Sequence, residues 1–214
     1  NDEVIARLTD QGFEGEVVLG VPHDIVYPAV PRVLQQFNAS FPRVKVQLLS
    51  SYSSRLKELY DRGECDLILT TEAGGGDHCE TIAELPLRWV GAAGGSAWRQ
   101  RPLRLALGRR CLFRPKVIAA LDAAGIPWDL AVETENDRTI EATVSADLAV
   151  HAMLDGTEAK HLVQIEPGAL PDLPVHKINL YGGADGKGQI VEELAALVRQ
   201  NFKTLGSGHL RAVG

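Results

Sequence analysis

The chain is short of cysteine and of positive charge, and each shortage excludes something. Its 214 residues hold three cysteines, Cys65, Cys79 and Cys111. An odd, sparse set does not make a secreted disulfide scaffold and fits a reducing, cytoplasmic location. Lysine and arginine total 22 against 28 aspartates and glutamates, a net charge of −6. That argues against this chain alone gripping a phosphate backbone, which calls for a basic face. No apolar run approaches the ~20 residues that span a bilayer, so no membrane is expected among its partners. The opening NDEVIARLTDQ is polar and acidic, unlike a signal peptide. The first residue is Asn1 rather than Met, which reads as processing or excision from a longer chain.

Catalytic motifs are also missing. Gly94-Gly95-Ser96-Ala97-Trp98 lacks the last glycine of G-x-S-x-G. The run 182–188 fails the Walker spacing, because Tyr181 and Gly188 stand where glycine and Ser or Thr are needed. There is no H-E-x-x-H. His78-Cys79, with Cys65 and His23, lacks the paired close spacing of a zinc site. The expectation is therefore a protein that is not an enzyme, with no metal and no cofactor.

What is present is an ordinary globular composition, 45% hydrophobic and 23% charged, enough for one or two domains of roughly 100–200 residues. The most informative stretch is 15–69. Residues 16–21 form a short apolar run closed by Gly20 and Pro22, as a buried strand does. Asp24 is a candidate N-cap for a helix carrying Val26, Val30, Val33, Leu34 and Phe37 at helical spacing. Residues 44–48 alternate with a period of two. Ser53 or Ser54 is a candidate cap for a second helix, stopped by Gly63, and 66–69 is a third strand. This βαβαβ order implies parallel strands with right-handed crossovers. Ligands bind such sheets at the carboxyl ends of the strands, which singles out the loops 22–25, 50–54 and 70–76.

Beyond it, 81–85 and 87–91 read as two strands, and the Gly and Ala run 91–95 as a hinge. A second unit follows, with strands at 103–107 and 130–133, a helix through Val117, Ile118 and Leu121 ended by Gly125 and Pro127, and a helix over 139–146 capped by Asp137. Residues 175–180 read as a returning strand and 190–202 as an amphipathic helix. The fold expected is α/β, with two Rossmann-like lobes joined by a hinge. Lobe I is 15–90 plus 178–204, and lobe II is 91–177.

Several strings carry a family resemblance. YPAVPRVLQQF, FPRVKVQL and SSRLKELYDRGECDLIL in the first lobe resemble the effector-binding domain of LysR-type bacterial transcription regulators. In the second lobe, LPLRWVG, the run from Cys111-Leu112-Phe113-Arg114 to AGIPW, and IEATVSADLAV are similar to a subgroup containing motility and virulence repressors. The resemblance implies a periplasmic-binding-protein-like fold (type 2), a small-molecule effector between the lobes, and assembly as a homodimer or tetramer. It implies that 1–12 is the end of a linker helix. The winged helix-turn-helix that contacts operator DNA would lie upstream and outside this chain. One departure is Asp147, in a turn where the family usually has AGLG. A glycine there would suit positive φ, and an aspartate could supply a local hydrogen bond instead. An extracytoplasmic solute-binding protein of the same fold is the alternative.

In that fold several helix starts face the ligand, and helix N-termini seat anions. The expected binding residues are His23, Asp24, Ser51, Ser53, Thr71, Cys111, Phe113, Arg114, Glu135 and Asn136. Acidic residues at the same mouth, including Asp24, Glu72, Glu135 and Asp137, oppose a simple anion unless already neutralised. A polar or zwitterionic ligand is therefore as well suited as an acid. Each serine and aspartate is equally well explained as a helix cap. Cys111, beside Arg110 and Arg114 at a helix start, is either a small buried hydrophobe or a redox-reactive thiol.

Overall fold

The computed structural model describes residues 14–74, 78–134, 136–182 and 188–207. The linker helix expected over 1–12 lies outside them. The chain divides into two compact units: Asn1–Glu84 with Lys177–Gly214, and Leu85–His176.

In the first unit β1 (Gly15–Pro22) pairs in parallel with β2 (Val44–Ser51) along its whole length and with β3 (Leu67–Glu72). β9 (Val175–Tyr181) returns antiparallel to β3, with Ile68 opposite Tyr181 and Glu72 opposite Lys177. The strand order is β2-β1-β3-β9-β4, β4 being Cys79–Ala92. β1 is buried over its last four residues, as its apolar run predicts. The helix α2 (Ser53–Asp61) packs onto β1 and β3 through Leu56. Gly20 permits that approach: a Cβ there would meet Leu56 Cδ2 and Ile68 Cγ2 at 2.9 Å. The helices α1 (Ala29–Ser40) and α5 (Gln189–Ser207) pack together, tied by Asn201 Nδ2 donating to Gln36 Oε1 at 2.8 Å.

Two expectations change here. Asp24 does not cap α1. It lies in a separate 3-10 turn, His23–Ile25, and α1 starts at Ala29 behind Pro28 with no side-chain cap. Ser53 is likewise no cap: Tyr52 takes that position, and the Ser53 hydroxyl is used elsewhere.

In the second unit β4 is flanked by β7 (His151–Leu154), paired over Leu87–Val90, and β8 (Leu162–Gln164), paired over Val90–Ala92. The two short strands read at 81–85 and 87–91 are this one strand, with Pro86 inside it. A proline is tolerated where the ladder does not need its N–H, and the Pro86 carbonyl still accepts from Asp155 N at 2.9 Å. The glycine run at 91–95 falls inside this unit, and the division between units comes earlier, after Glu84. β5 (Leu103–Gly108) and β6 (Trp128–Thr134) are parallel and joined by α3 (Arg114–Ala123). Then α4 (Asp137–Ser145) covers a core of Val90, Ala106, Ile140, Val144, Ala149 and Leu162. The α4 cap is Asn136, not Asp137: its Oδ1 accepts from Arg138 N at 2.9 Å and Thr139 N at 3.4 Å.

Candidate functional site

In the first unit the expected residues gather where β1, β2 and β3 end. Ser51 lies opposite Pro22 in the β1–β2 register, and His23 and Asp24 follow Pro22 directly. His23 Nδ1 is 2.8 Å from Ser50 Oγ, and its ring meets Tyr52 edge-on at 5.5 Å. Asp24 is half-buried. Ser53, the first residue of α2, is bonded to β3: its Oγ accepts from Thr71 N at 3.0 Å and donates to Thr71 O at 3.4 Å. The start of α2 is thereby fixed to the end of β3. Thr71 is 1% exposed, and its own hydroxyl has no hydrogen-bond partner among the described residues. A buried hydroxyl without a partner costs stability, so this one is a notable feature.

Beside this group is a polar cluster built on Glu72. Its Oε1 takes Lys57 Nζ at 2.8 Å, Thr70 Oγ1 at 2.6 Å and Tyr181 OH at 3.3 Å. Burial works against the Glu72 charge. The hydrogen bonds from Lys57 and Thr70, and the Lys57 charge, outweigh it and hold the carboxyl below its ordinary range. Burial opposes the Lys57 charge too, yet Glu72 and Tyr181 hold its pKa above the usual value. Burial raises the Tyr181 phenol. The concern that Glu72 repels an anion is thus met by its own ammonium partner.

In the second unit the residues sit where β5 and β6 end. Cys111 is half-buried in a tight turn, its N–H bonded to Gly108 O and its carbonyl to Arg114 N. Phe113 is 4% exposed and packs edge-on to His176 at 4.9 Å. Burial, with the nearby Lys116 charge, lowers the His176 pKa. Arg114 Nη1 donates to Glu133 Oε1 at 2.6 Å, and Arg109 Nε lies 3.7 Å from the same oxygen. The Arg114 hydrogen bond, with Arg109 behind it, holds the Glu133 carboxyl below its usual range. Asn136 spends its side-chain oxygen on capping α4. Glu135 lies outside the described residues.

Of the helix starts expected to seat an anion, both in this unit are already occupied. The first turn of α3 bonds to the Cys111 and Phe113 carbonyls, and Pro115 has no N–H. Glu133 and Ser50, the partners of Arg114 and His23, are not among the binding residues expected from the sequence. The signal for Glu133 is its place as the acid that ends the strand expected at 130–133. Asp147 stands out in the sequence as a departure from AGLG, but its partners are distant in the chain. It has φ +56 and accepts from Ser96 N at 2.8 Å, Ala97 N at 2.9 Å and Ser96 Oγ at 3.3 Å. These bonds, Ser96 first, lower its pKa. Among the described residues no group of three or more metal-binding side chains occurs, and no helix is long and apolar enough to cross a membrane.

The chain has relatives. The profile of the LysR substrate binding domain matches residues 10–202. The HTH-type transcriptional regulator PecT of Dickeya dadantii (strain 3937) is 22% identical over 206 residues, 95% of this chain and 65% of PecT. DgdR of Burkholderia cepacia, also an HTH-type transcriptional regulator, is 29% identical over 182 residues, 84% of this chain and 62% of DgdR. The chain thus spans less than two thirds of either relative. In fold it is similar to the regulatory domain of Synechocystis PCC6803 CcmR, solved in complex with 2-PG. The TM-score is 0.71 at 14% identity, over 90% of this chain and 99% of that one. That fold is the periplasmic-binding-protein-like type 2 arrangement, mixed α/β with two sheets. The profile match over most of the chain identifies the family: this chain belongs to the LysR substrate-binding domains, the effector-binding part of LysR-type regulators.

Proposed function

We propose that this chain senses a small molecule and carries the oligomer contacts of a cytoplasmic bacterial transcription regulator. The effector, polar or zwitterionic, acts by binding one state of the regulator more tightly than another. DNA is contacted by a helix-turn-helix domain elsewhere in the full-length protein, and this part is not catalytic. The CLFR and AGIPW strings support grouping it with regulators similar to the motility and virulence repressors. Assembly as a homodimer or tetramer uses α1 of one copy against α3 of another, where Pro115, Ala119 and Ala123 are small and exposed. The extracytoplasmic solute-binding reading is not favoured, because the relatives are transcription regulators.

The observation that carries the reading is the buried, partnerless Thr71 hydroxyl at the strand ends, beside Ser51 and Ser53. A thermal-shift screen of metabolites finds ligands of the native state through a raised Tm. For any ligand found, Thr71→Val should keep or raise the Tm of the unliganded protein while shrinking the ligand-dependent shift. An undiminished shift in both Thr71→Val and Ser51→Ala would remove the site from these residues. Peroxide treatment with mass spectrometry tests a redox role for Cys111.

A further inference from the structure

Ligands bind parallel α/β units where the strands end. In the second unit three charged side chains meet there. Arg109 follows β5, Arg114 opens α3, and Glu133 is next to last in β6. Both guanidinium groups address one carboxylate oxygen, Arg114 at 2.6 Å and Arg109 at 3.7 Å. No side chain caps α3, its first-turn amides are bonded to backbone carbonyls, and Asn136 closes α4. An anion arriving here therefore has the two arginines to bind, and Glu133 already holds them. The hold is loose. The Arg114 side chain is 22% exposed and that of Glu133 35%, so water screens the pair and separating it costs little.

We infer that Glu133 is a resident anion in a two-arginine subsite, and that a carboxylate, sulfate or phosphate group of the effector enters by displacing it from Arg114. This rests on the effector-binding role proposed above and adds the class of ligand. Once displaced, the Glu133 carboxylate needs a new donor. An acid that also carries a hydroxyl or ammonium group supplies one, and a bare anion does not. Glu133 is thus a specificity-determining residue that disfavours simple anions.

Sulfate is the probe. Its effect on Tm is titrated for the wild-type chain, Glu133→Gln, Arg114→Gln and the double variant, each against sodium chloride of equal ionic strength. Glu133→Gln should lower the half-saturating sulfate concentration about fivefold, the factor separating such an exposed pair is worth. Arg114→Gln and the double variant should respond as they do to chloride. Should Glu133→Gln fold poorly, Glu133→Asp shortens the reach to Arg114 and should shift the titration the same way. The inference is overturned if the variants need as much sulfate as the wild type, or if the double variant keeps the gain. Either result leaves the metabolite screen intact, and only a wild-type chain without any ligand response counts against the sensing role itself.

Discussion

The carboxylate of Asp147 fills the space that a side chain at Gly95 would need: a Cβ at Gly95 would collide with Asp147 Oδ1. The two are bound into one small structure. Asp147, held at φ +56, accepts from the amides of Ser96 and Ala97 directly after Gly95. Gly95→Ala should therefore destabilise the second unit by about 1–3 kcal/mol, as overpacking does. Asp147→Gly removes the obstacle and suits the positive φ, but it gives up the amide bonds. In urea melts the double variant should be more stable than the sum of the two singles allows, because residues in contact couple. Strict additivity would show that the collision is relieved in some other way.

Ser53→Ala tests the bond between α2 and β3. Removing the hydroxyl leaves the Thr71 N–H and C=O without this side-chain partner. The expected cost is about 1–2 kcal/mol. Amide hydrogen exchange at Thr71 should speed up selectively. Equal protection at Thr71 in both proteins would count against the bond.

Glu72→Ala should be more damaging than an ordinary surface change, since it strands Lys57, Thr70 and the Tyr181 hydroxyl together. A loss of about 1–3 kcal/mol is expected. Glu72→Gln keeps acceptance from Thr70 and should lose less. Chemical denaturation of the two variants side by side decides the order.

Acidification should weaken the fold in two windows. Burial lowers the His151 pKa from 6.5 to about 4, although its Nδ1–H donates to Ala106 O at 2.7 Å and favours the charged form. Below pH 6.5 the unfolded chain takes up this proton and the folded chain does not, so stability falls with pH until about 4. The loss over that window is about 3 kcal/mol. The carboxylates act lower down. Asp147, Glu72 and Glu133 have depressed pKa values, so their contribution is complete above their unfolded values and disappears as pH falls through the folded ones. In His151→Phe the slope between pH 6.5 and 4 should become shallower, with His176, whose pKa burial also lowers, supplying the remainder, while the acid limb persists. An unchanged slope would place the titrating group elsewhere.

The sequence carried the strands and helices well wherever period and punctuation agreed, as in β1, β2 and α3. It was less informative where one residue has two possible uses. Ser53 looks like a cap from its neighbours, yet it bonds Thr71, eighteen residues away. Asn136 and Asp137 are both good caps, and local pattern does not choose between them. Pro86 looks like a strand end because its tolerance depends on ladder partners that only the folded sheet supplies. The parallel pairing of β1 with β2 and β3 brings their ends together, as the βαβαβ order implies. The state of the charges was not legible, because Glu133 meets Arg114 only once β6 lies beside β5. Similarly, Asp147 meets Ser96 across 51 residues.

The return of β9 to a place between β3 and β4 also sets an order of events. Thr81 Oγ1 bonds Asn179, 98 residues later, and Asn201 bonds Gln36 across 165. During synthesis, the unit that begins first is the last to be completed. Residues 85–176 are continuous and can close on themselves while β1, β2 and β3 still wait for their antiparallel neighbour and for α5. Contacts of such long sequence separation form slowly, so the β3 edge is the surface most exposed to mispairing before the chain is finished.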